Sequence, residues 1–210
     1  MSRDPLPVVV VPTGVANLAS VRAGLERAGG APRLAESASD VARAAAVVVP
    51  GVGTFRSGAT ALARLGLAPV LRERIAAGRA TLCVCLGMQL LLEGSEESPG
   101  TAGLGIAAGI ARRFPDAVRT PQFGWNAVEA EPGCRLLRSG FAYFANSYRL
   151  VAPPRGFAGA FAEHGGRFVA GFEKGAVLAC QFHPELSGPL GRAVLEDWLA
   201  IAAHEEVTRC

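Results

Sequence analysis

One cysteine in this sequence has the surroundings of a nucleophile. Cys85 follows the apolar segment 81–84, which is typical of a buried strand, and precedes a short helix-like segment that contains Gly87. A thiol at a tight strand-to-helix turn stands above the sheet and faces a helix N-terminus, whose partial positive charge favours the thiolate. The sequence therefore predicts a cysteine nucleophile at this turn. A buried structural cysteine is the simpler alternative.

Of the three histidines, His183 is the best candidate for a base. It follows an apolar segment and precedes Pro184, which keeps it out of helical geometry. Glu185 comes two residues later, so in an extended chain its carboxylate lies on the same side and can orient the imidazole. A cysteine with a distant histidine and glutamate indicates a thiol hydrolase or an acyl transferase. The alternative is a surface His-Pro-Glu turn.

A glycine-rich loop follows the second strand-like segment of the chain. Ligands of open parallel sheets bind beyond the carboxyl ends of the strands, where Gly51, Val52 and Gly53 follow the segment 46–49. Glycines let bare backbone N–H groups approach a ligand, as an oxyanion hole requires. A tight turn that needs glycine for its backbone alone is the alternative.

The elements that must position these residues alternate in the first half of the chain. Segments with strand or helix patterns are 7–11, 18–28, 46–49, 69–77, 79–84 and 86–93. This alternation predicts a parallel sheet flanked by helices. Further strand-like segments, separated by turns, are 110–114, 127–129, 141–145, 157–162, 168–172 and 176–181, and a final helix is predicted at 189–203. We expect one α/β domain over residues 1–210, with additional antiparallel strands in its second half.

Composition and charge exclude several classes of function. The 21 basic residues are scattered and the net charge is +3, so nucleic-acid binding is not indicated. No apolar stretch reaches the ~18 residues of a membrane span, and the N-terminus lacks a signal-peptide pattern. The five cysteines form an odd, unpatterned set (83, 85, 134, 180 and 210), which indicates reduced thiols in the cytoplasm and no zinc site.

In combination, the motifs of this chain resemble those of the class I (triad) glutamine amidotransferases. The matching motifs are Pro50-Gly-Val-Gly-Thr-Phe55, Cys85-Leu-Gly-Met-Gln-Leu-Leu91, Gly124-Trp-Asn126, Asn146-Ser-Tyr148 and Gln181-Phe-His-Pro-Glu-Leu-Ser-Gly188. Asn17-Leu-x-Ser-Val21, Gly103-Leu-Gly105 and Pro121-x-x-Gly-Trp-Asn126 are most similar to the glutaminase subunits of imidazole glycerol phosphate synthases. The resemblance runs from about Val8 to Leu199 and implies a flavodoxin-like, mostly parallel sheet.

The resemblance implies a role for each matching residue. Cys85 would be the nucleophile, His183 the general acid and base, and Glu185 its orienting partner. The oxyanion would bind backbone N–H groups of Gly51, Val52, Gly53 and Leu86. Glutamine would be held by Gln89, Glu97, Ser147 and Tyr148. The implied reaction converts glutamine to glutamate and ammonia through a γ-glutamyl thioester, without metal or organic cofactor.

The resemblance also implies a partner. In the family, a (β/α)₈-barrel cyclase subunit receives the ammonia and forms imidazole glycerol phosphate and an aminoimidazole carboxamide ribotide for histidine biosynthesis. The candidate interface residues are Gln122, Trp125, Asn126 and Asn146. Neither nucleic acid nor membrane is implied as a partner.

The sequence departs from the family pattern at several positions. Cys83 replaces a glycine, Gln122 and Asn146 each replace a histidine, and Pro12-Thr13 replaces an acidic-aromatic pair. Strand alternation predicts that Cys83 projects to the same face as Cys85. The departures leave open two alternative functions: a paralogous glutaminase that supplies a different synthase, and a non-catalytic subunit that only binds a partner.

Overall fold

A computed structural model describes residues 4–13 and 17–209. Residues 1–3, residues 14–16 and Cys210 lie outside the described residues. The strands are β1 (Leu6–Val10), β2 (Gly30–Leu34), β3 (Ala46–Val49), β4 (Thr81–Val84), β5 (Gly94–Ser95), β6 (Ile110–Arg113), β7 (Gln122–Ala130), β8 (Gly140–Asn146), β9 (Tyr148–Arg149), β10 (Ala158–Glu163), β11 (Arg167–Lys174) and β12 (Val177–Cys180). The helices are α1 (Leu18–Arg27), α2 (Ala38–Arg43), α3 (Phe55–Arg64), α4 (Leu67–Ala76), α5 (Leu86–Leu90) and α6 (Gly188–Arg209), with a 3₁₀ turn at Pro184–Leu186.

A nine-stranded sheet in the order β2-β1-β3-β4-β12-β11-β10-β7-β8 organises the fold. The five strands from β2 to β12 are parallel, and the four that follow are antiparallel to their neighbours. A small sheet in the order β5-β6-β9 lies apart from it. The predicted class, a mostly parallel α/β sheet with additional antiparallel strands, is confirmed.

The parallel strands are buried on both faces, as their unbroken apolar sequences predict. In β1, Val8 and Val10 pack in one apolar cluster, and Val9 packs in a second one on the opposite face. Trp198 of α6 belongs to the first cluster and Leu71 of α4 to the second, so helices cover both faces. Within residues 4–13 and 17–209, no helix combines the length and apolar character needed to cross a membrane.

Four elements of the first half were not predicted from the sequence: β2, α2, α3 and the two-residue strand β5. Strand β2 contains Pro32, which weakens its strand pattern but is tolerated because the strand forms the edge of the sheet. Helix α2 has only six residues and starts with a reciprocal cap between Ser37 and Asp40. Helix α3 begins where Thr54 accepts the backbone N–H of Ser57 at 3.3 Å. Strand β2 and helix α2 thus depend on an edge position and a local cap, whereas α3 has an apolar face at helical spacing (Phe55, Ala61 and Leu62) that the sequence analysis did not identify.

The antiparallel half contains a longer hairpin than the predicted segments 127–129 and 141–145. Strands β7 and β8 pair from Gln122↔Asn146 to Val128↔Gly140. Gln122, Gly124 and Asn126 interrupt the apolar pattern of β7, and Gly and Asn are depleted in strands, which explains why the sequence indicated only the last part of this strand. The final helix likewise extends beyond the predicted 189–203, through Arg209.

A buried arginine ties α4 to the neighbouring elements. The guanidinium of Arg74 is almost fully buried and donates hydrogen bonds to the carbonyl oxygens of Val41, Ala44, Ala45 and Ala80 and to the hydroxyl of Thr81. These acceptors lie in and after α2 and at the start of β4. The Arg74 side chain therefore provides hydrogen-bond donors to both the α2 segment and the start of β4.

We expect Arg74→Leu to lower the free energy of unfolding by about 3 kcal/mol, because several buried acceptors lose their donor. Urea denaturation of the two proteins measures this difference. The matched control is Arg64→Leu on the exposed surface of α3, which should change the free energy of unfolding by less than about 0.5 kcal/mol. Equal effects of the two substitutions would show that the network contributes nothing specific.

Candidate active site

Cys85 occupies a strained turn between β4 and α5. Its φ of 52° and ψ of −108° lie in a region that residues with a Cβ rarely adopt. The backbone N–H of Cys85 donates to the carbonyl of Cys180 at 2.7 Å, and its carbonyl accepts the N–H of Gln89 at 3.2 Å. A Cβ on Gly87 would lie 1.9 Å from the carbonyl oxygen of Val49, so only glycine fits where α5 meets β3. The surrounding contacts therefore impose the turn.

The prediction that Cys83 and Cys85 share a face is wrong. Cys83 packs in the same apolar cluster as Val49, whereas Cys85 packs in the opposite cluster with Val84. Cys85 lies after the last residue of β4, and its positive φ rotates the side chain away from the strand alternation. Burial raises the pKa of the Cys83 thiol to about 12, so that thiol stays protonated and away from the candidate site.

The sheet brings His183 to Cys85 because their strands are neighbours. Strands β4 and β12 are parallel and end in register at Val84 and Cys180, so both residues follow carboxyl ends at the same sheet edge. The backbone N–H of His183 donates to the carbonyl of Tyr143 at 2.9 Å, which fixes the segment against β8. The pairing of β4 with β12 therefore brings together Cys85 and His183, which are almost a hundred positions apart in the sequence.

Glu185 lies beside the imidazole of His183, as the His-Pro-Glu spacing predicts. Nδ1 of His183 and Oε1 of Glu185 are 2.9 Å apart, and both side chains are more than nine-tenths buried. A carboxylate at this nitrogen fixes the tautomer and orientation of the ring, and leaves Nε2 to face the thiol. A Cβ on Gly24 would lie 2.8 Å from the Cβ of Glu185, so the absence of a side chain there lets α1 support the carboxylate.

His183 is held in its protonated form by its two neighbours. Burial alone would lower the pKa of the imidazole, but interactions with the Cys85 thiol and the Glu185 carboxylate outweigh burial and raise this pKa to about 10. Nε2 is buried and has no hydrogen-bond partner of normal length. The site therefore holds a protonated imidazole beside the candidate nucleophile.

One of the predicted oxyanion donors is engaged with a carbonyl group of the glycine-rich loop. The backbone N–H of Leu86, which follows the candidate nucleophile, donates to the carbonyl of Gly51 at 3.3 Å. An oxyanion would have to replace the Gly51 carbonyl as the acceptor of the Leu86 N–H, because this N–H already donates to that carbonyl. The Gly51–Gly53 loop is therefore next to Cys85, but its Gly51 carbonyl occupies the N–H of Leu86, which is one of the expected donors.

A cleft of about 130 Å³ opens beside the sulfur. Its lining residues are Val52, Gly53, Cys85, Leu86, Gln89, Glu97, Ala145, Asn146, Ser147 and Tyr148. All four residues predicted to bind glutamine are among them. Ala145, by contrast, carried no sequence signal, because alanine in a strand has no distinguishing chemistry.

The polar groups of the cleft are fixed by the protein itself. Oε2 of Glu97 accepts the backbone N–H of Phe55 at the start of α3, at 2.5 Å. Nε2 of Gln89 donates to the carbonyl of Tyr148 at 3.2 Å and to Oε1 of Gln181 at 2.9 Å. Neither side chain has to be ordered by an incoming ligand, which lowers the entropic cost of binding.

Gln181 was not predicted as a site residue. It is fully buried, and its Nε2 lies 3.6 Å from the sulfur of Cys85. The available signal was a polar residue at the end of an apolar strand, two positions before the candidate base. That signal alone does not distinguish a buried functional amide from an exposed one.

Of the four interface candidates, two present side chains to solvent. Trp125 is exposed and Asn126 is half-buried, whereas Gln122 and Asn146 are more than nine-tenths buried. The latter two are direct cross-strand partners on the buried face of the hairpin, so they cannot make direct side-chain contact with a partner in this conformation. Strand alternation explains this difference, since Trp125 and Gln122 lie on opposite faces of β7.

Comparison with known proteins agrees with this geometry. The family profile "Glutamine amidotransferase class-I" matches residues 31–202. The "Imidazole glycerol phosphate synthase subunit HisH" of Deinococcus radiodurans is 40% identical over 197 residues, which span 91% of this chain and 92% of that protein. The chain belongs to the HisH family of class I glutamine amidotransferases. The protein of the same name from Methanopyrus kandleri is 40% identical over 202 residues, with 95% of this chain and 100% of that protein covered.

Solved structures agree with the class I amidotransferase fold. A structure described as "Crystal structure of glutamine amidotransferase" superposes with a TM-score of 0.74 at 21% identity and covers 93% of this chain and 98% of that chain. As an amidotransferase, the protein is an enzyme that uses glutamine. Within the described part of the chain, no three His, Cys, Asp or Glu side chains are grouped as metal ligands.

Proposed function

We propose that this HisH-family amidotransferase hydrolyses glutamine with a Cys85–His183–Glu185 triad and supplies the ammonia to a cyclase that forms imidazole glycerol phosphate in histidine biosynthesis. The observation that carries the proposal is the junction at the ends of β4 and β12, where a strained cysteine adjoins a histidine bonded to a buried glutamate. The proposal treats residues 1–210 as one domain, because a single sheet contains strands from both halves.

The first half-reaction forms a thioester. The Cys85 thiolate attacks the carbon of the glutamine side-chain amide, so a C–S bond forms and the carbonyl electron pair moves to oxygen. When this pair returns, the C–N bond breaks and the proton on Nε2 of His183 moves to the leaving nitrogen, which departs as ammonia. The raised pKa of His183 supports this step, because the ring holds the required proton at neutral pH.

The second half-reaction restores the enzyme. Neutral His183 takes a proton from water, the resulting hydroxide attacks the thioester carbon, and the C–S bond breaks to give the Cys85 thiolate and a γ-carboxylic acid. This acid releases its proton to solvent and leaves as glutamate. The oxyanion of each half-reaction requires the N–H of Leu86, which currently donates to Gly51. A rotation of the Gly51 carbonyl away from Leu86 would therefore precede catalysis, and the glycines on either side of Val52 make that rotation possible.

Glutamine would be oriented by charges that the cleft already holds. The Glu97 carboxylate has one oxygen on the backbone of Phe55, which leaves its other oxygen for the α-ammonium group of the substrate. The amide nitrogen of Gln89 is occupied by two protein acceptors, so Gln89 would meet the substrate through its oxygen. Backbone groups of Ser147 and Tyr148 complete the proposed binding site.

The hairpin β7–β8 offers a docking surface for the cyclase, which we propose to be a (β/α)₈ barrel. Its outer face carries three large exposed aromatic side chains, Phe123, Trp125 and Phe141. Exposed apolar side chains concentrated on one face are typical of protein interaction sites. The next residues of β8 and β9 line the cleft, so a partner on this hairpin would lie next to the ammonia source. The free cysteines of the described chain support a cytoplasmic location.

The test is ammonia release from glutamine by the chain alone, then with the host's cyclase subunit and its ribonucleotide substrate. We expect strong stimulation only in the complete mixture. Trp125→Ala should weaken the stimulation at limiting cyclase concentration, because an exposed aromatic residue in an interface contributes about 1–3 kcal/mol. The control Leu65→Ala, at the C-terminal end of α3, should leave it unchanged.

Absence of stimulation by a folded chain would contradict the histidine-pathway proposal. Stimulation by a different synthase would then support the paralogous glutaminase, for which the paired replacements at Gln122 and Asn146 are the structural argument. If a glutamine-like alkylating agent also failed to label Cys85 in the assembled complex, the chain would be a non-catalytic binding subunit.

A further inference from the structure

We propose that Gln181 is a further functional residue, whose side-chain amide donates a hydrogen bond to the sulfur of Cys85 and so favours and positions the thiolate. The inference concerns the resting nucleophile and rests on the proposed cysteine mechanism. It adds a donor that is independent of the triad and of the expected oxyanion groups.

The neighbouring acceptors fix which end of the Gln181 amide faces the sulfur. The carbonyl of Tyr148 can only accept, so the Gln89 group that contacts it at 3.2 Å must be the amino group. The same nitrogen lies 2.9 Å from the side chain of Gln181, which must therefore present its oxygen there. The amino group of Gln181 is consequently the end that faces Cys85, at 3.6 Å from the sulfur.

The position of Gln181 is set by both its backbone and its side chain. Its backbone N–H donates to the carbonyl of Ala170 at 2.8 Å, directly after β12. The side chain has no exposed surface, so water does not compete for the amide. A buried donor held by its neighbours acts without reorganisation when charge develops on the sulfur.

The Gln181 amide can stabilise negative charge on the sulfur of Cys85. A hydrogen bond from a neutral N–H stabilises a thiolate more than a thiol, because the anion is the stronger acceptor. Helix α5 has only five residues, so the favourable effect of its N-terminus on Cys85 is smaller than the sequence suggested. The Gln181 amide supplies stabilisation on the sulfur itself, while Nε2 of His183 remains available to move the proton.

The network also reaches the proposed docking hairpin. Nδ2 of Asn146, the last residue of β8, donates at 3.0 Å to the same Tyr148 carbonyl that accepts Gln89. Asn146, Tyr148, Gln89 and Gln181 therefore form a continuous chain of hydrogen bonds that ends at Cys85. A displacement of β8 or β9 would therefore change the position of Gln89 and, through it, the orientation of the Gln181 amide.

The test measures the rate of Cys85 alkylation by iodoacetamide against pH, in the full-length chain without glutamine. The background carries Cys134→Ser and Cys210→Ser, so that the reaction reports the active-site thiol, since Cys83 and Cys180 are fully buried. Gln181→Met keeps the length of the side chain and removes the donor. We expect the midpoint of the pH profile to rise by about one unit, and kcat/KM for glutamine in the assembled complex to fall about tenfold.

Two further variants separate this role from a structural one. Gln181→Glu still accepts from Gln89 but places a carboxylate beside the sulfur, so the midpoint should rise further than in Gln181→Met. Gln89→Met leaves Gln181 in place but frees its amide to rotate, and should raise the midpoint by a smaller amount. Thermal unfolding of each variant confirms that the chain is folded, and Gln89→Met provides the test if Gln181→Met does not fold.

An unchanged alkylation profile in folded Gln181→Met, or in Gln89→Met if that is the folded variant, would overturn the inference. The result is distinguishable from failure of the proposed function. Wild-type protein that releases no ammonia, but whose alkylation midpoint shifts in Gln181→Met, would contradict the function and support the inference. Ammonia release that depends on Cys85 but not on Gln181 would support the proposed function and contradict the inference.

Discussion

Replacement of Cys85 by serine is expected to abolish ammonia release, with a loss in kcat/KM of more than about 10⁴-fold. A serine hydroxyl does not ionise near neutral pH and needs a base to take its proton. Cys85 itself contributes to the raised pKa of His183, so the variant loses both the nucleophilic sulfur and part of the interaction that holds the proton on the ring. The measurement is glutamate or ammonia formation in the assembled complex.

The fold should survive this substitution. Serine keeps the Cβ of cysteine, so the strain at φ 52° is the same before and after the change. Thermal unfolding and affinity for the cyclase should therefore stay close to the wild-type values. The matched control is Cys134→Ser, where a hydroxyl can still donate to the carbonyl of Gly159 as the thiol does now. Full activity of Cys85→Ser would eliminate the cysteine mechanism.

Two features of the candidate site were predictable because their signals are local. A strand–turn–helix junction places Cys85, and a two-residue spacing places Glu185 beside His183, before any tertiary contact is known. Four of the five parallel strands, β1, β3, β4 and β12, were predictable for a similar reason, since strands buried on both faces must be apolar without interruption. The family resemblance then connected these separate signals across the chain.

The contacts of Gln181 and Cys83 could not be predicted in the same way. The amide of Gln181 reaches Cys85 only because β4 and β12 end in register, and a sequence does not specify strand order by itself. The face of Cys83 was mispredicted because alternation holds within β4 and fails at the positive φ that follows it. Burial of Gln122 and Asn146 likewise depended on the pairing of β7 with β8.

His183→Ala is expected to lower kcat/KM by about 10³-fold or more, because no other group can carry the proton to the departing ammonia. Glu185→Ala should have a smaller effect, since the orienting carboxylate touches only the imidazole and the ring remains available. Steady-state kinetics in the assembled complex compare the two variants. The control His204→Ala, on the exposed end of α6, should retain full activity.

The pH dependence of the Glu185→Ala variant gives a second, independent readout. Both the hydrogen bond and the charge of Glu185 raise the pKa of His183, so removing the carboxylate must lower it from about 10. Activity that requires the protonated ring is lost as the pH rises through this pKa. The alkaline limb of the profile should consequently move to lower pH in Glu185→Ala, while the wild-type protein keeps its activity further into the alkaline range. An alkaline limb at the same pH in both proteins, or equal losses in Glu185→Ala and His183→Ala, would contradict the orienting role, because a carboxylate that acts only through the imidazole must change the titration of that ring.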